Sequence, residues 1–512
     1  MSSFSWLGRH KLVARLAALA GVLLLALVNL TSYPTSWYDE GAYLHVPKTL
    51  IQYGRYAERS SEGFRYFSVS LGVGPTVLLP IAAMFKVFGI SLWSARLVIV
   101  AYLIGSVICF FGLAKVLGGE RLAWVATALL VASRGVSLLE FGREALGEVP
   151  GFFFVVAGLW VWFADWEHAD WRRALAAGVL LGLATVTKPQ YLIMIAPALA
   201  LGWLANLIYY RSAPQRSFLI PGITLGLIFV AWQVFVIAFL GPGTFSANLA
   251  SYREGAVAEA IVFLPNLMAA SVRWLLSPSI YLGVLIPVLV YGITLAIPRQ
   301  RDGQRWGLVM LMISIHLIWY VVFSVGWVRY AFLGVALSAL CVARFFSDLT
   351  ERFHVDWKAL PDAWRTGALR WQTTALRVVL IGWVAVMIGV PLLQSLKDVL
   401  LPPPNSPQAM AAYMNTNVPR DAVVETWEPE MGFLTDHNYH YPPPAFVYRA
   451  VSYAWAGGPP PAEQYTFVQE EKPLYILAGH FSRGTGMYPS TWLDDYQRMV
   501  QIGEYELYAR TK

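Results

Sequence analysis

The chain has 512 residues, 57% of them hydrophobic and only 13% charged, with a formal net charge of +7. A soluble domain is about a quarter charged, so these side chains cannot cover a water-soluble globule of this length; a multi-span membrane protein is expected instead. The basic residues lie mostly in short loops, which reads as membrane topology and not as nucleic-acid binding.

The first apolar run, residues 12–30, follows Arg9 and Lys11. Its length suits a spanning helix of ~20 residues better than a signal peptide, and no small-residue cleavage site follows it, so an uncleaved first helix is expected. A polar segment, residues 33–74, comes next and contains Trp37-Tyr38-Asp39-Glu40-Gly41-Ala42-Tyr43. On a helix, neighbours diverge by about 100°, so Asp39 and Glu40 are expected to do different jobs. One would face a site while the other supports a helix start or a metal; a solvated pair at a helix N-terminus is the plainer alternative. Residues 75–89, interrupted by Pro80 and Lys86, are short for a span and predict an interfacial or re-entrant helix.

Ten further apolar runs follow: residues 94–113, 122–139, 151–164, 174–187, 192–208, 218–240, 280–297, 306–325, 330–345 and 377–396. With the first helix they predict about eleven spans. Cys109 and Cys341 fall inside these runs and imply no disulfide framework.

A cytoplasmic N-terminus makes every inside loop basic: Lys115/Arg121, Arg172/Arg173, Arg211/Arg216, Arg299/Arg301/Arg305 and, in the last, Arg352, Lys358, Arg365 and Arg370. That is the positive-inside pattern. The outside segments then hold Asp39 and Glu40, Glu140 to Glu148, Lys188, residues 248–276 with Arg253 and Arg273, and Arg329. The first outside segment also carries Lys48, Arg55, Arg59 and Arg65, a basic excess that an anionic ligand would explain.

Glu140, Glu144 and Glu148 are spaced by four and would line one helical stripe, with Arg143 among them. Lys188 in Thr187-Lys188-Pro189 and Arg329 in Trp327-Val328-Arg329-Tyr330 are outer-end cations; each is a candidate partner for a carboxylate or for a lipid phosphate. Any one of them could equally anchor at headgroup level.

Pro402-Pro403-Pro404 stops the last apolar run. The tail predicts a small outer α/β domain, with strands at 422–427, 473–478 and 505–509 and helices at 408–415 and 491–499. The expected organisation is a transmembrane domain over residues 1–400, whose first outer loop spans residues 33–90, and a soluble domain over 401–512. No Walker loop, dinucleotide glycine pattern or zinc spacing occurs. His437 and His440 in the tail read as surface residues.

Five segments in order resemble the GT-C superfamily of polyprenyl-phosphate-sugar glycosyltransferases, above all the protein O-mannosyltransferases and the lipid A aminoarabinose transferases. They are Asp39-Glu40-Gly41-Ala42-Tyr43; Gly74-Pro75-Thr76-Val77-Leu78-Leu79 running on to Ser94-Ala95-Arg96-Leu97; Arg143-Glu144-Ala145 with Glu148; Thr187-Lys188-Pro189; and Arg329-Tyr330. The likeness covers about the first 350 residues. It implies a mainly α, polytopic GT-C-like fold with an extracytoplasmic C-terminal domain, set in the plasma (inner) membrane of a cell envelope.

The resemblance also implies a function: inverting transfer of a sugar from a polyprenyl phosphate, such as undecaprenyl phosphate, to an extracytoplasmic lipid, glycan or protein hydroxyl. A membrane transporter or lipid flippase is the alternative. A hydroxyl needs a base, for which Asp39 is the candidate, with Glu40 and Glu148 as further catalytic candidates. The departing lipid phosphate needs no acid, but its charge needs cations or a divalent metal. Lys188, Arg329, Arg65, Arg143 and Tyr330 are the candidate phosphate ligands, Glu144 and Tyr43 the acceptor or site-lining residues, and Asp39 with Glu148 the pair open to a metal. Aminoarabinose transferases carry a lysine before a double proline where this chain has Val73-Gly74-Pro75-Thr76, so Arg65, Lys188 or Arg329 would take over that phosphate grip.

Overall fold

Apolar composition translates directly into helices. The computed structural model describes residues 3–66, 72–164, 166, 170–255, 260–354, 368–443 and 445–511. The first helix, α1 (Ser3–Leu27), leads into α2 (Tyr38–Tyr53), whose first turn carries Asp39 and Glu40 and whose end is Gly54 at φ 67°. Only glycine adopts that left-handed value without cost, which is why the helix stops there. A hairpin of β1 (Glu58–Ser60) and β2 (Gly63–Arg65) follows. The expected short helix is α3 (Pro75–Phe88), with Pro75 in its first turn, where a missing N–H is harmless.

Two predicted runs, 94–113 and 122–139, share α4 (Leu92–Ala132), and Gly119 at φ 83° breaks it between them. The second run ends earlier than predicted. Residues 133–147 form a loop around the four-residue helix α5 (Leu138–Phe141). Then come α6 (Glu148–Phe163), α7 (Trp171–Thr187), α8 (Gln190–Ala205), α9 (Arg216–Leu240), α10 (Pro242–Gly255), α11 (Pro265–Leu275), α12 (Leu285–Ala296), α13 (Arg301–Phe323) and α14 (Phe332–Leu349). A last helix runs Ala368–Leu400 and ends before the three prolines.

Among the described residues six helices are long and apolar enough to cross a membrane, and shorter apolar helices lie at Leu12–Leu27, Pro75–Phe88, Glu148–Phe163 and Leu285–Ala296. Lys358 and Arg365, counted above in the last inside loop, lie outside the described residues, as do residues 256–259 of the 248–276 segment. One contiguous apolar core joins α4, α6, α7, α8, α13 and α14.

The tail forms a five-stranded sheet in the order β4-β3-β5-β7-β6. In it β3 (Val423–Thr426) pairs parallel with β4 (Asn438–His440) and β5 (Tyr475–Ala478), and β7 (Tyr505–Arg510) pairs antiparallel with β5 and β6 (Tyr496–Ile502). The predicted strands coincide with β3, β5 and β7, and the predicted helix at 408–415 lies within Ser406–Asn417. The helix expected at 491–499 is instead a short turn, Ser490–Leu493, followed by β6. Hydrogen bonding to β7 decides that segment, and its mostly exposed side chains give no apolar period to read from sequence.

The tail is packed onto the bundle. Phe433, from the helix Pro429–Leu434, stacks on Phe85 of α3 with ring centroids 6.0 Å apart. The same helix lies so close to α2 that a side chain at Gly41 would meet the Glu430 backbone. Glycine stands after Asp39-Glu40 because two backbones touch there.

Candidate active site

At the bundle end that carries the tail, four segments converge: the start of α2, the start of α6, the α7–α8 junction, and the short turn Val328–Ala331 between α13 and α14. Arg329 forms an ion pair with Asp39, with side chains 12% and 14% exposed. Lys188 forms an ion pair with Glu148, with side chains 11% and 4% exposed. The pairs are near enough for Arg329 to act electrostatically on both Glu148 and Lys188, and for Lys188 to sense Asp39. Two cations and two carboxylates thus form a charge-neutral, largely dry quartet.

Aromatic rings build the walls. The Arg329 guanidinium lies 4.4 Å from the Trp327 ring centre, 5.2 Å from that of Trp37 and 5.6 Å from that of Tyr330. The Lys188 ammonium is 5.8 Å from the Tyr330 ring centre. Such faces hold a cation without consuming its N–H groups. Tyr43, one helical turn after Asp39, also lies within electrostatic reach of Arg329.

Backbone packing fixes Lys188. The Gly74 N–H donates to the Thr187 carbonyl at 2.9 Å, and the Thr76 and Thr187 hydroxyls are 2.7 Å apart. A side chain on Gly74 would strike the Val186 carbonyl. The Gly74-Pro75-Thr76 segment is therefore a seat for the lysine turn. Tyr191 holds the other partner by donating its hydroxyl to the Glu148 carbonyl.

The remaining sequence candidates do different work. Glu40 turns away from Asp39 into a fully buried pair with Arg96, at 2.8 and 2.5 Å, and also accepts from the Ala145 N–H at 2.9 Å. Arg96 adds bonds to the Leu30 and Pro34 carbonyls at 2.7 and 2.8 Å. Arg143, expected at the donor phosphate, is fully buried beside the α1 exit instead. It donates to the carbonyls of Leu25, Val28 and Tyr33. Helix ends leave such carbonyls unpaired and electronegative, and a guanidinium answers both needs.

Arg65, also expected at the phosphate, bonds Glu62 at 2.8 Å and the Pro442 carbonyl at 3.0 Å, in the hairpin. The single stripe expected of Glu140, Glu144 and Glu148 does not form: Glu140 sits in α5, Glu144 in the loop and Glu148 at the head of α6. The bends around Gly142 and Gly147 interrupt the helical period. Glu144 is buried, and burial together with the neighbouring Glu40 pushes its carboxyl pKa well up.

Three of the four basic residues of the first outside segment, Lys48, Arg59 and Arg65, have partners within the chain. Lys48 is buried and donates to the carbonyls of Gly432, Phe433 and Thr435 at 2.8, 3.2 and 2.6 Å, with Asp436 at 2.9 Å. It caps the tail helix Pro429–Leu434. Arg59 bonds the Tyr53 hydroxyl and lies over its ring. His437 and His440, read as surface residues, are buried, and His440 lies between Glu425 at 2.5 Å and Glu62 at 3.2 Å.

Asp39 and Glu148, the carboxylates open to a divalent ion, are engaged by Arg329 and Lys188. Among the described residues no three His, Cys, Asp or Glu side chains converge on a metal position. Trp37, Trp327 and Tyr191 are site residues that the sequence reading passed over. The one available signal was the aromatic flanking of Asp39 and Arg329.

Residues 73–237 match a family profile described as dolichyl-phosphate-mannose-protein mannosyltransferase. No curated protein sequence matches the chain. Among solved structures, ArnT from Cupriavidus metallidurans bound to undecaprenyl phosphate aligns with a TM-score of 0.64 at 13% identity, over 99% of this chain and 98% of that one. The oligosaccharyltransferase AglB from Archaeoglobus fulgidus, in complex with an inhibitory peptide and a dolichol-phosphate, aligns with a TM-score of 0.57 at 15% identity, over 98% and 75%. The chain therefore shares the fold of these membrane glycosyltransferases, and about a third of it matches the mannosyltransferase profile.

Proposed function

We propose that this chain transfers a sugar, with inversion, from a polyprenyl phosphate to a hydroxyl-bearing acceptor on the extracytoplasmic side. The observation that carries the reading is the Asp39–Arg329–Glu148–Lys188 quartet at the tail-bearing end of the bundle. It pairs a base with two cations where a lipid headgroup meets protein. The structural relatives bound to undecaprenyl and dolichol phosphates support the donor class. The tail lies on the same end, and the basic inside loops expected from the sequence support placing that end on the extracytoplasmic side.

The chemistry follows from charge. Asp39 takes the proton of the acceptor hydroxyl while its oxygen bonds to the anomeric carbon from the face opposite the phosphate. The bond from that carbon to the phosphate oxygen breaks, and its electron pair leaves on the prenyl phosphate. Lys188 and Arg329 stabilise the growing charge; in a dry site such fixed cations act far more strongly than in water. Arg329 Nε is buried without a hydrogen-bond partner, an N–H available to a phosphate oxygen. Tyr43 and Glu148 line the acceptor side.

The test is transfer by purified protein from a panel of undecaprenyl-phosphate sugars to lipid, glycan and peptide acceptors. Asp39→Asn should lower the rate by about a hundred- to ten-thousand-fold. Full activity in that variant would refute Asp39 as the base. Absence of transfer from every polyprenyl-phosphate donor would refute the reading.

A further inference from the structure

The pairing of Asp39 with Arg329 competes with their assigned tasks. A base needs a free carboxylate oxygen facing the acceptor, and a phosphate clamp needs free guanidinium N–H groups. In the structure Arg329 Nη1 pairs with Asp39 Oδ2, which commits one carboxylate oxygen and one guanidinium nitrogen to each other. We propose that the donor phosphate displaces Asp39 from Arg329, so that the base is released only when the donor is seated. This rests on the glycosyltransferase reading above.

Three observations support the exchange. Arg329 is held in place independently of Asp39 by the rings of Trp37, Trp327 and Tyr330, so the guanidinium can stay while the carboxylate leaves. Its Nε is buried without a partner, so the pair with Asp39 leaves the guanidinium under-used. A phosphate offers more acceptor oxygens in the same geometry. Finally, the four charges cancel, so the quartet offers an anion no net positive charge unless a carboxylate gives way. The exchange imposes an order, donor before acceptor.

The exchange predicts a gain of binding from a loss of charge. Asp39→Asn should bind undecaprenyl phosphate at least about fivefold more tightly than wild type, the lower range of site-to-site coupling, while its transfer rate falls by about a hundred- to ten-thousand-fold. The lipid phosphate should also raise its melting temperature by more than it raises that of wild type, because it answers a buried cation left alone. Unchanged or weaker binding by a folded Asp39→Asn protein would overturn the exchange.

If that variant fails to fold, a structure of the wild-type protein with undecaprenyl phosphate decides. Phosphate on Arg329 with Asp39 turned away supports the proposal, and an intact Asp39–Arg329 pair beside bound phosphate overturns it. Wild-type transfer with an intact pair sinks the exchange alone. No binding and no transfer sink the exchange and the proposed function together.

Discussion

Replacing Arg96 with methionine isolates the scaffold from the chemistry. Arg96 and Glu40 are both fully buried and share two hydrogen bonds, while Arg96 also holds the Leu30 and Pro34 carbonyls. Removing one partner of a buried ion pair costs about 3–5 kcal/mol, because the other charge stays behind in a dry place. Each orphaned carbonyl adds about 1 kcal/mol or more. The sum is large beside the 5–15 kcal/mol that typically separates folded from unfolded chains. Asp39 is the next residue to Glu40, so a shift of about 1 Å at the α2 start would also slow transfer by about a hundredfold. The assay is thermal unfolding in detergent, followed by the transfer rate. Pairing Arg96→Met with Glu40→Leu should recover much of the lost stability, since no charge then remains buried. A single Arg96→Met variant that melts and turns over like wild type would refute the assigned role of the pair.

Other outcomes follow from the same contacts. Gly41→Val should weaken the seating of α2 on the tail and lower transfer, because its side chain would meet the Glu430 backbone; crosslinking between α2 and the tail would report the loss. Lys48→Met removes the cap of the helix Pro429–Leu434 and should cost about 1–3 kcal/mol, seen as faster proteolysis within the tail. Gly74→Ala should displace the lysine turn and weaken donor binding, measured as a higher KM for the lipid phosphate sugar. Arg65→Ala should leave transfer within a few-fold of wild type, since Arg65 bonds Glu62 and Pro442 in the hairpin; a loss of about a hundredfold or more, as expected for removing a direct stabiliser of developing charge, would return it to the donor site.

The membrane class and most helices were legible because composition and apolar runs are local signals. The strands β3, β5 and β7 were legible for the same reason. The acids of the site were legible by position, since Asp39 and Glu148 stand at helix starts and Lys188 and Arg329 at breaks between helices. What a charged residue does was less legible, because that depends on partners far away in sequence. Arg143 lies 110 residues from its Tyr33 acceptor, and Lys48 lies 384 residues from the Gly432 carbonyl. The stripe at 140, 144 and 148 failed because a helix was assumed where glycines allow a bent loop. Strand β6 was missed because its pairing with β7, and not an apolar pattern, sets its conformation.

Saturation separates the structural cations from the chemical ones. A guanidinium has five N–H groups and no acceptor. Arg96 and Arg143 place all three of their nitrogens on carbonyls or on Glu40, and both are fully buried. No nitrogen of either is left without a protein acceptor, and moving either would strip the α1 exit of its cap. Arg329 presents the opposite case, with one carboxylate partner, a buried Nε without one, and three aromatic faces that hold it but accept no conventional hydrogen bond. Burying an under-satisfied guanidinium is costly, and a fold keeps such a cost where binding relieves it. By that criterion Arg96 and Arg143 form the floor of the site, and Arg329 is the group that the proposed donor phosphate would complete.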